Sequence, residues 1–286
     1  MSGLGMSQAR RVRVNDVTLA VQISGCGSPI VLVHGSLDDH RSWQRVIPYL
    51  TGEHQVVSYD RRGHGESTCP PGQGTIGQDC DDLAELLRAL DLEAPLVVGH
   101  SYGASMALLL GAHHPELTGG LVIHEPPLFM LLHADKTTRH LAELASEHIR
   151  QAAILISQGA VEQGVRYFVD HAAFGSGTWD MLFTPEIRQT CIAHADTWLD
   201  QSRDPDRLSV RPELLFGYPH RIVVSHGDSG PIAYALITDI LAATIPTAHR
   251  HIIKGAGHAP HLSHPQEFAD LVRHSAQQVS LQRPPS

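Results

Sequence analysis

The chain reads as an α/β protein: a mostly parallel central sheet with helices on both faces, interrupted by a helical insertion. Three observations predict this. Short apolar runs, too brief for helices and bounded by glycine or polar turns, recur at residues 29–33, 55–59, 95–98, 120–123, 221–225 and 251–253, the pattern of strands buried on both faces. Helical patterns separate them, most plainly at 79–90, where Leu83, Leu86, Leu87 and Leu90 form a stripe of 3.6-residue period. Between Pro126 and Tyr218 the alternation stops, and only helical patterns follow one another.

Taken in order, residues 11–14 and 17–23 alternate in polarity around Asn15-Asp16 and predict an antiparallel hairpin. Helices are expected at 43–50, 79–90, 102–112 and 268–279; the third is small and apolar nearly all round, as an interior helix would be. Within the insertion, helices are expected at 139–157, 161–173 and 185–201, the last opening on a Thr184 cap with Pro185 in the first turn. A stretch so long and so patterned is no loop. The expected organisation is a core of residues 1–125 and 219–286 with an inserted unit at 126–218; the tail at 282–286 is expected to fray.

A chain of 286 residues can bury a large core without disulfides or a structural metal. Its formal charge of −9, with no cluster of Lys and Arg, argues against a nucleic-acid or anionic-membrane surface. Cys26, Cys69, Cys80 and Cys191 lack C-x-x-C spacing and read as reduced thiols. The N-terminal residues lack the apolar core of a secretory signal and no apolar run approaches a membrane span, so a cytoplasmic protein is expected. Histidines are numerous, 21 in all. The run His258, His261, His264 is interrupted by Pro260 and Pro265 and holds no Cys or carboxylate, so neither a metal nor a cofactor is expected.

Three motifs carry chemistry. In Leu96-Val97-Val98-Gly99-His100-Ser101-Tyr102-Gly103-Ala104 a buried strand runs into G-x-S-x-G and then into an apolar helix, the context of a nucleophile elbow with Ser101 at its tip. The helix N-terminus behind Ser101 adds partial positive charge where an oxyanion forms. In Val31-Leu32-Val33-His34-Gly35-Ser36-Leu37 a strand ends in His-Gly, so the N–H of Ser36 or Leu37 can join that of Tyr102 in an oxyanion hole; His34 itself reads as structural. In Lys254-Gly255-Ala256-Gly257-His258 a glycine-rich turn delivers a late histidine, the general base expected after nucleophile and acid in chain order. His261 and His264 compete for that role but lie beyond the turn.

On these motifs the sequence resembles the α/β-hydrolase superfamily over nearly its whole length. Tyr59-Asp60-Arg61-Arg62-Gly63-His64-Gly65-Glu66-Ser67 is similar to a structural D-x-R-G-x-G-x-S turn of that family, and 126–218 falls where members carry a cap domain. The resemblance implies a third member of a catalytic triad, a carboxylate orienting His258. Its usual place follows the strand after the cap, in Gly227-Asp228-Ser229-Gly230-Pro231, where Gly230 occupies the expected position and Asp228 comes two residues early. Some relatives use the end of the preceding strand instead, here Ile123-His124-Glu125-Pro126-Pro127. Glu125 is favoured over Asp228, and both stay open. The plainer alternative for Glu125 is an N-cap or hinge carboxylate of the insertion, and for Asp228 a turn residue in Gly-Asp-Ser-Gly.

The reaction implied is acyl transfer to water from a small-molecule carboxylic ester or lactone, with no cofactor. Carbon–carbon bond hydrolysis, thioester hydrolysis and cofactor-free perhydrolysis use the same residues in related proteins, and a non-catalytic ligand receptor of the same fold is a further alternative. Dehalogenase and epoxide-hydrolase chemistry is disfavoured, because those relatives place Asp where Ser101 stands. Phe129, Phe168, Phe174, Trp179, Phe183 and Trp198 are the aromatics available to a pocket, and most of them read as core of the insertion.

Overall fold

The computed structural model describes residues 8–282, apart from 71, 73 and 209. Eight strands form one sheet: β1 (Gln8–Val14), β2 (Val17–Ser24), β3 (Ser28–Val33), β4 (His54–Tyr59), β5 (Leu96–His100), β6 (Gly120–His124), β7 (Ile222–Gly227) and β8 (Ala248–Ile253). Their spatial order is β1-β2-β4-β3-β5-β6-β7-β8. The hairpin β1–β2 and the β2–β4 pair are antiparallel, and every pair from β4 to β8 is parallel. The apolar runs of β3 to β7 become strands because they are covered on both sides, whereas the edge strand β8, expected from the run at 251–253 to be buried on both faces, is mostly exposed. In β3, Val31 and Val33 point into one core while Ile30 and Leu32 point into the other. The same alternation sends Val97, Leu121 and Ile123 one way and Val98 and Val122 the other.

One face is covered by α2 (Ile76–Ala89), α3 (Tyr102–His113) and α9 (Ile232–Thr244), the other by α1 (Ile47–Leu50) and α11 (Pro265–Gln282). The short α10 (Pro260–Ser263) precedes α11. Between β6 and β7 the chain makes a long helical excursion: α4 (Arg139–Ser157), α5 (Val161–Tyr167), α6 (Thr178–Met181), α7 (Pro185–Ala193) and α8 (Ala195–Arg203), with no strand among its described residues. No helix among the described residues is long and apolar enough to cross a membrane.

Several boundaries differ from the sequence-based expectation. The helix expected at 43–50 is a 3-10 turn, His40–Trp43, followed by the single-turn α1, because Asp39 caps the first turn and Pro48 breaks the continuity. α2 starts three residues early: Thr75 and Gln78 form a reciprocal capping box that pulls Ile76 into the helix. The Thr184 cap and Pro185 do open a helix, yet the span 185–201 divides at His194 into α7 and α8. α5 gives way to a π-helical turn, Phe168–Ala173. α9 is apolar nearly all round and carried no usable periodicity. Gln282 closes α11, and the rest of the tail lies outside the described residues.

Candidate active site

β5 delivers Ser101 at a bend. The backbone of Ser101 has φ 54° and ψ −120°, a conformation that side-chain-bearing residues avoid and that is held only where the surroundings enforce it. The N–H of Ser101 donates to the carbonyl of His124, 2.9 Å away on β6, extending the sheet through the bend. The two flanking glycines are steric necessities. A Cβ on Gly99 would meet the Gly103 carbonyl oxygen at 2.3 Å, and one on Gly103 would meet the Val33 carbonyl oxygen at 2.4 Å. The G-x-S-x-G spacing is what lets β5 turn into α3 directly against β3.

Beneath the bend lies a buried polar network. The Tyr102 hydroxyl donates to Asp79 at 2.9 Å, Arg61 pairs with Asp79 at 3.3 Å, and Arg61 also donates to the Gly35 carbonyl at 2.9 Å. The Arg61 guanidinium lies 4.6 Å from the centre of the Tyr102 ring. His34 accepts from the Arg61 N–H at 3.1 Å, the structural role its position implied. Arg61 and Asp60 belong to the glycine-rich turn after β4. There Asp60 accepts from the backbone N–H groups of His40 and Glu66, both at 2.8 Å, and a Cβ on Gly65 would strike its carboxylate at 2.2 Å.

The loop after β3 closes over the same point. Gly35 packs so near the bend that a Cβ there would lie 3.2 Å from Ser101 Cβ, and Leu37 takes a left-handed φ of 58°. His194, between α7 and α8, accepts from the Gly65 N–H at 2.8 Å and reaches the Leu37 carbonyl at 3.4 Å. The helical excursion thereby contacts the loop that carries Ser36 and Leu37. Tyr102 opens α3, where backbone N–H groups have no intrahelical acceptor.

Of the two candidate carboxylates, the fold brings Glu125 to His258 and leaves Asp228 elsewhere. His258 Nδ1 lies 2.5 Å from Glu125 Oε2, with both side chains fully buried. Glu125 sits directly after β6 with φ 46°; its N–H donates to the Ser225 carbonyl at 3.1 Å, and its Oε1 accepts from the Gly227 N–H at 2.8 Å. The backbone strain and both anchors aim one carboxylate oxygen at the imidazole. Asp228 is exposed and accepts from the Gly255 N–H at 2.6 Å, capping the turn after β8. Gly230, by contrast, does lie beside the histidine: a Cβ there would stand 3.4 Å from the His258 N–H nitrogen.

The His258 ring is sandwiched. Tyr234 of α9 stacks on it at 4.3 Å and 13°, and Phe174 meets it edge-on at 4.7 Å. Burial lowers the imidazole pKa, and it raises the Glu125 carboxyl against the opposing pull of the Gly227 N–H. The imidazole is therefore neutral at rest. With Nδ1–H donated to the carboxylate, Nε2 carries a lone pair that has no partner among the described residues. The neighbouring His100 Nε2 faces the His258 carbonyl at 2.8 Å, tying the serine bend to the histidine loop.

A cleft of about 600 Å³ is lined by His258 together with Phe174, Thr178, Met181, Leu182, Gly230 and Gly257. Of the six aromatics singled out above, Phe129, Phe168, Trp179, Phe183 and Trp198 are core, and Phe174 alone touches the histidine. The Tyr234 stack and the His194 contact were missed in the sequence, where nothing marks either residue.

Residues 30–271 match the alpha/beta hydrolase family, and the chain belongs to it. It is 25% identical to esterase YbfF of Escherichia coli (strain K12) over 86% of this chain and 92% of that protein. It is 28% identical to the biotin biosynthesis bifunctional protein BioHC of Teredinibacter turnerae over 86% of this chain and 44% of that one. The chain spans 64%, 44% and 30% of the length of the first curated relatives it matches. The enol-lactonase of Burkholderia xenovorans LB400 superposes with a TM-score of 0.78 at 20% identity, covering 94% of this chain and all of that one, a likeness of fold.

Proposed function

We propose that this protein is a cytoplasmic serine hydrolase that cleaves a carboxylic ester or lactone, with Ser101 as nucleophile, His258 as general base and Glu125 as the triad acid. The observation that carries this reading is the buried 2.5 Å contact between His258 and Glu125, which leaves Nε2 of a neutral imidazole free, on a loop that His100, the neighbour of Ser101, holds through the His258 carbonyl. Residues 126–218 serve as the cap, and Phe174 contributes to the roof over the reacting groups.

In this mechanism His258 Nε2 takes the Ser101 proton as Oγ attacks the carbonyl carbon. The resulting oxyanion is held by backbone N–H groups of Tyr102 and of Ser36 or Leu37; each such donor is worth roughly 3–4 kcal/mol in the transition state. His258 then protonates the leaving alkoxide, and the acyl group remains on Ser101. Water attacks next, gives its proton to His258, and the acid leaves as the proton returns to Ser101. Glu125 stabilises the imidazolium formed in each half-reaction.

Reaction with a fluorophosphonate probe tests the reading directly. Wild-type protein labels and turns over short-chain esters or lactones, and Ser101→Ala does neither. A wild-type protein that folds but stays unlabelled would point to a ligand receptor instead of an enzyme.

A further inference from the structure

Three segments converge next to the serine bend, and each contributes one side chain that the proposed hydrolysis does not use: Asp38 from the loop after β3, His100 from the end of β5, and His261 from α10. One ligand atom of each lies within 4.8 Å of the other two. Both histidines are only 1% exposed. The tautomer of His100 is fixed by its surroundings. Its Nε2 faces the His258 carbonyl at 2.8 Å, and a carbonyl only accepts, so Nε2 carries the proton and Nδ1 carries the lone pair. That Nδ1 has no partner among the described residues, and neither ring nitrogen of His261 has one. Leaving buried polar atoms unsatisfied is costly, and such atoms call for an ion or an ordered water.

We propose that Asp38, His100 and His261 form a binding site for a borderline divalent cation of the Zn2+ type. Two imidazoles and one carboxylate are a donor set for such an ion, whereas Mg2+ and Ca2+ take oxygen ligands. His100 has the arrangement of a metal-bound histidine, one nitrogen free for the ion and the other N–H held by a backbone carbonyl. His261 is braced by the Trp43 ring, 5.0 Å away. A tetrahedral ion with bonds of about 2 Å spaces its ligand atoms roughly 3.3 Å apart, so closure asks for a contraction of at most about 1.5 Å, which side-chain rotation supplies. Asp38 borders a cleft of about 440 Å³, from which the ion enters and from which a water completes the fourth position. The ligands are far apart in sequence, and the local spacing that argued against His258-His261-His264 could not reveal them.

An ion here ties together the loop carrying Ser36 and Leu37, the bend carrying Ser101 and the segment following His258. The test uses the full chain, stripped with chelator and titrated with ZnCl2 at pH 7.5, and it requires no turnover. The proposal expects one equivalent bound with a Kd of about 10 µM or tighter, a raised Tm, no response to Mg2+, and at least tenfold weaker binding in Asp38→Asn and in His261→Gln. Ser101→Ala keeps wild-type affinity. Because 21 histidines offer adventitious sites, Co2+ supplies a second readout on the wild type alone: one equivalent gives the intense visible band of a four-coordinate site. Absence of saturable binding, as expected if water fills the site, would overturn the proposal. So would affinity unchanged in both folded variants, or a weak six-coordinate Co2+ spectrum.

Discussion

Glu125 and Asp228 are separated by the geometry of single hydrogen bonds. Glu125 holds His258 Nδ1 at 2.5 Å, while Asp228 accepts from the Gly255 N–H and the Ser229 hydroxyl. Glu125→Gln keeps the side-chain shape but cannot stabilise the imidazolium. It is expected to lower kcat by about 10³–10⁴-fold, as loss of a triad carboxylate does, whereas Asp228→Asn stays within a few-fold of wild type. Ester turnover of the two folded variants checks this, and wild-type rates in Glu125→Gln would remove that residue from the triad. A carboxylate can also be restored from the other side. A Cβ at residue 230 would lie 3.4 Å from the His258 backbone nitrogen, so Gly230→Asp in the Glu125→Gln background is expected to recover at least tenfold of the lost kcat. No recovery would show that the loop after β7 cannot aim a carboxylate at the ring.

Among elements, the β5–α3 bend is the most constrained. Gly103→Ala drives a methyl group onto the Val33 and His34 carbonyls, whose oxygens would stand 2.4 and 2.6 Å away; it is expected to cost about 2–3 kcal/mol, the upper range for overpacking. A urea unfolding midpoint near that of wild type would contradict the steric account. This bend was legible in the sequence because the strand, the two glycines, the serine and the helix follow one another without a break. Strands β3, β5, β6 and β7 were legible for a similar reason, since burial on both faces leaves an unbroken apolar run. The excursion between β6 and β7 was legible only in outline. The break at His194 and the π-helical turn before Phe174 follow from packing against distant loops, which short-range periodicity does not encode. That turn ends with the Phe174 ring against His258. If Phe174 roofs the cleft, Phe174→Ala is expected to raise the ratio of kcat/KM for bulky over short acyl esters several-fold, measured across a chain-length series.

The whole molecule carries its histidines unevenly, and several lie deep inside. Burial holds His34, His64 and His124 well below the ordinary histidine pKa. In the unfolded chain each takes up a proton as the pH falls below about 6.5, and in the folded chain it does not. The stability these groups contribute is therefore complete above pH 6.5 and declines below it, by up to roughly 1.4 kcal/mol per pH unit for each, or about 4 for the three. Burial also lowers His100, His194, His258 and His261, which act in the same sense, and raises Glu125, Asp38 and Asp79, which act in the opposite one. Urea midpoints should fall steeply from pH 7 to pH 5.5 in chelator-treated protein, and a flat profile would show that these rings protonate inside the fold. The sequence displayed the number of histidines but not their depth, which depends on which strand ends and turns the sheet order brings together.

The position of Glu125 at the end of β6 also frees another stretch of chain. On the proposed triad, residues 229–231 border the cleft and take no part in proton handling. Asp228 secures the neighbouring turn, and Gly230 presents bare backbone to the opening. On that reading, apart from a carboxylate at 230, substitutions at Gly230 and Pro231 should reshape the mouth without touching the chemical step. A library randomised at those two positions should yield altered substrate preference at little loss of intrinsic rate, a latitude denied to proteins whose acid sits on that loop.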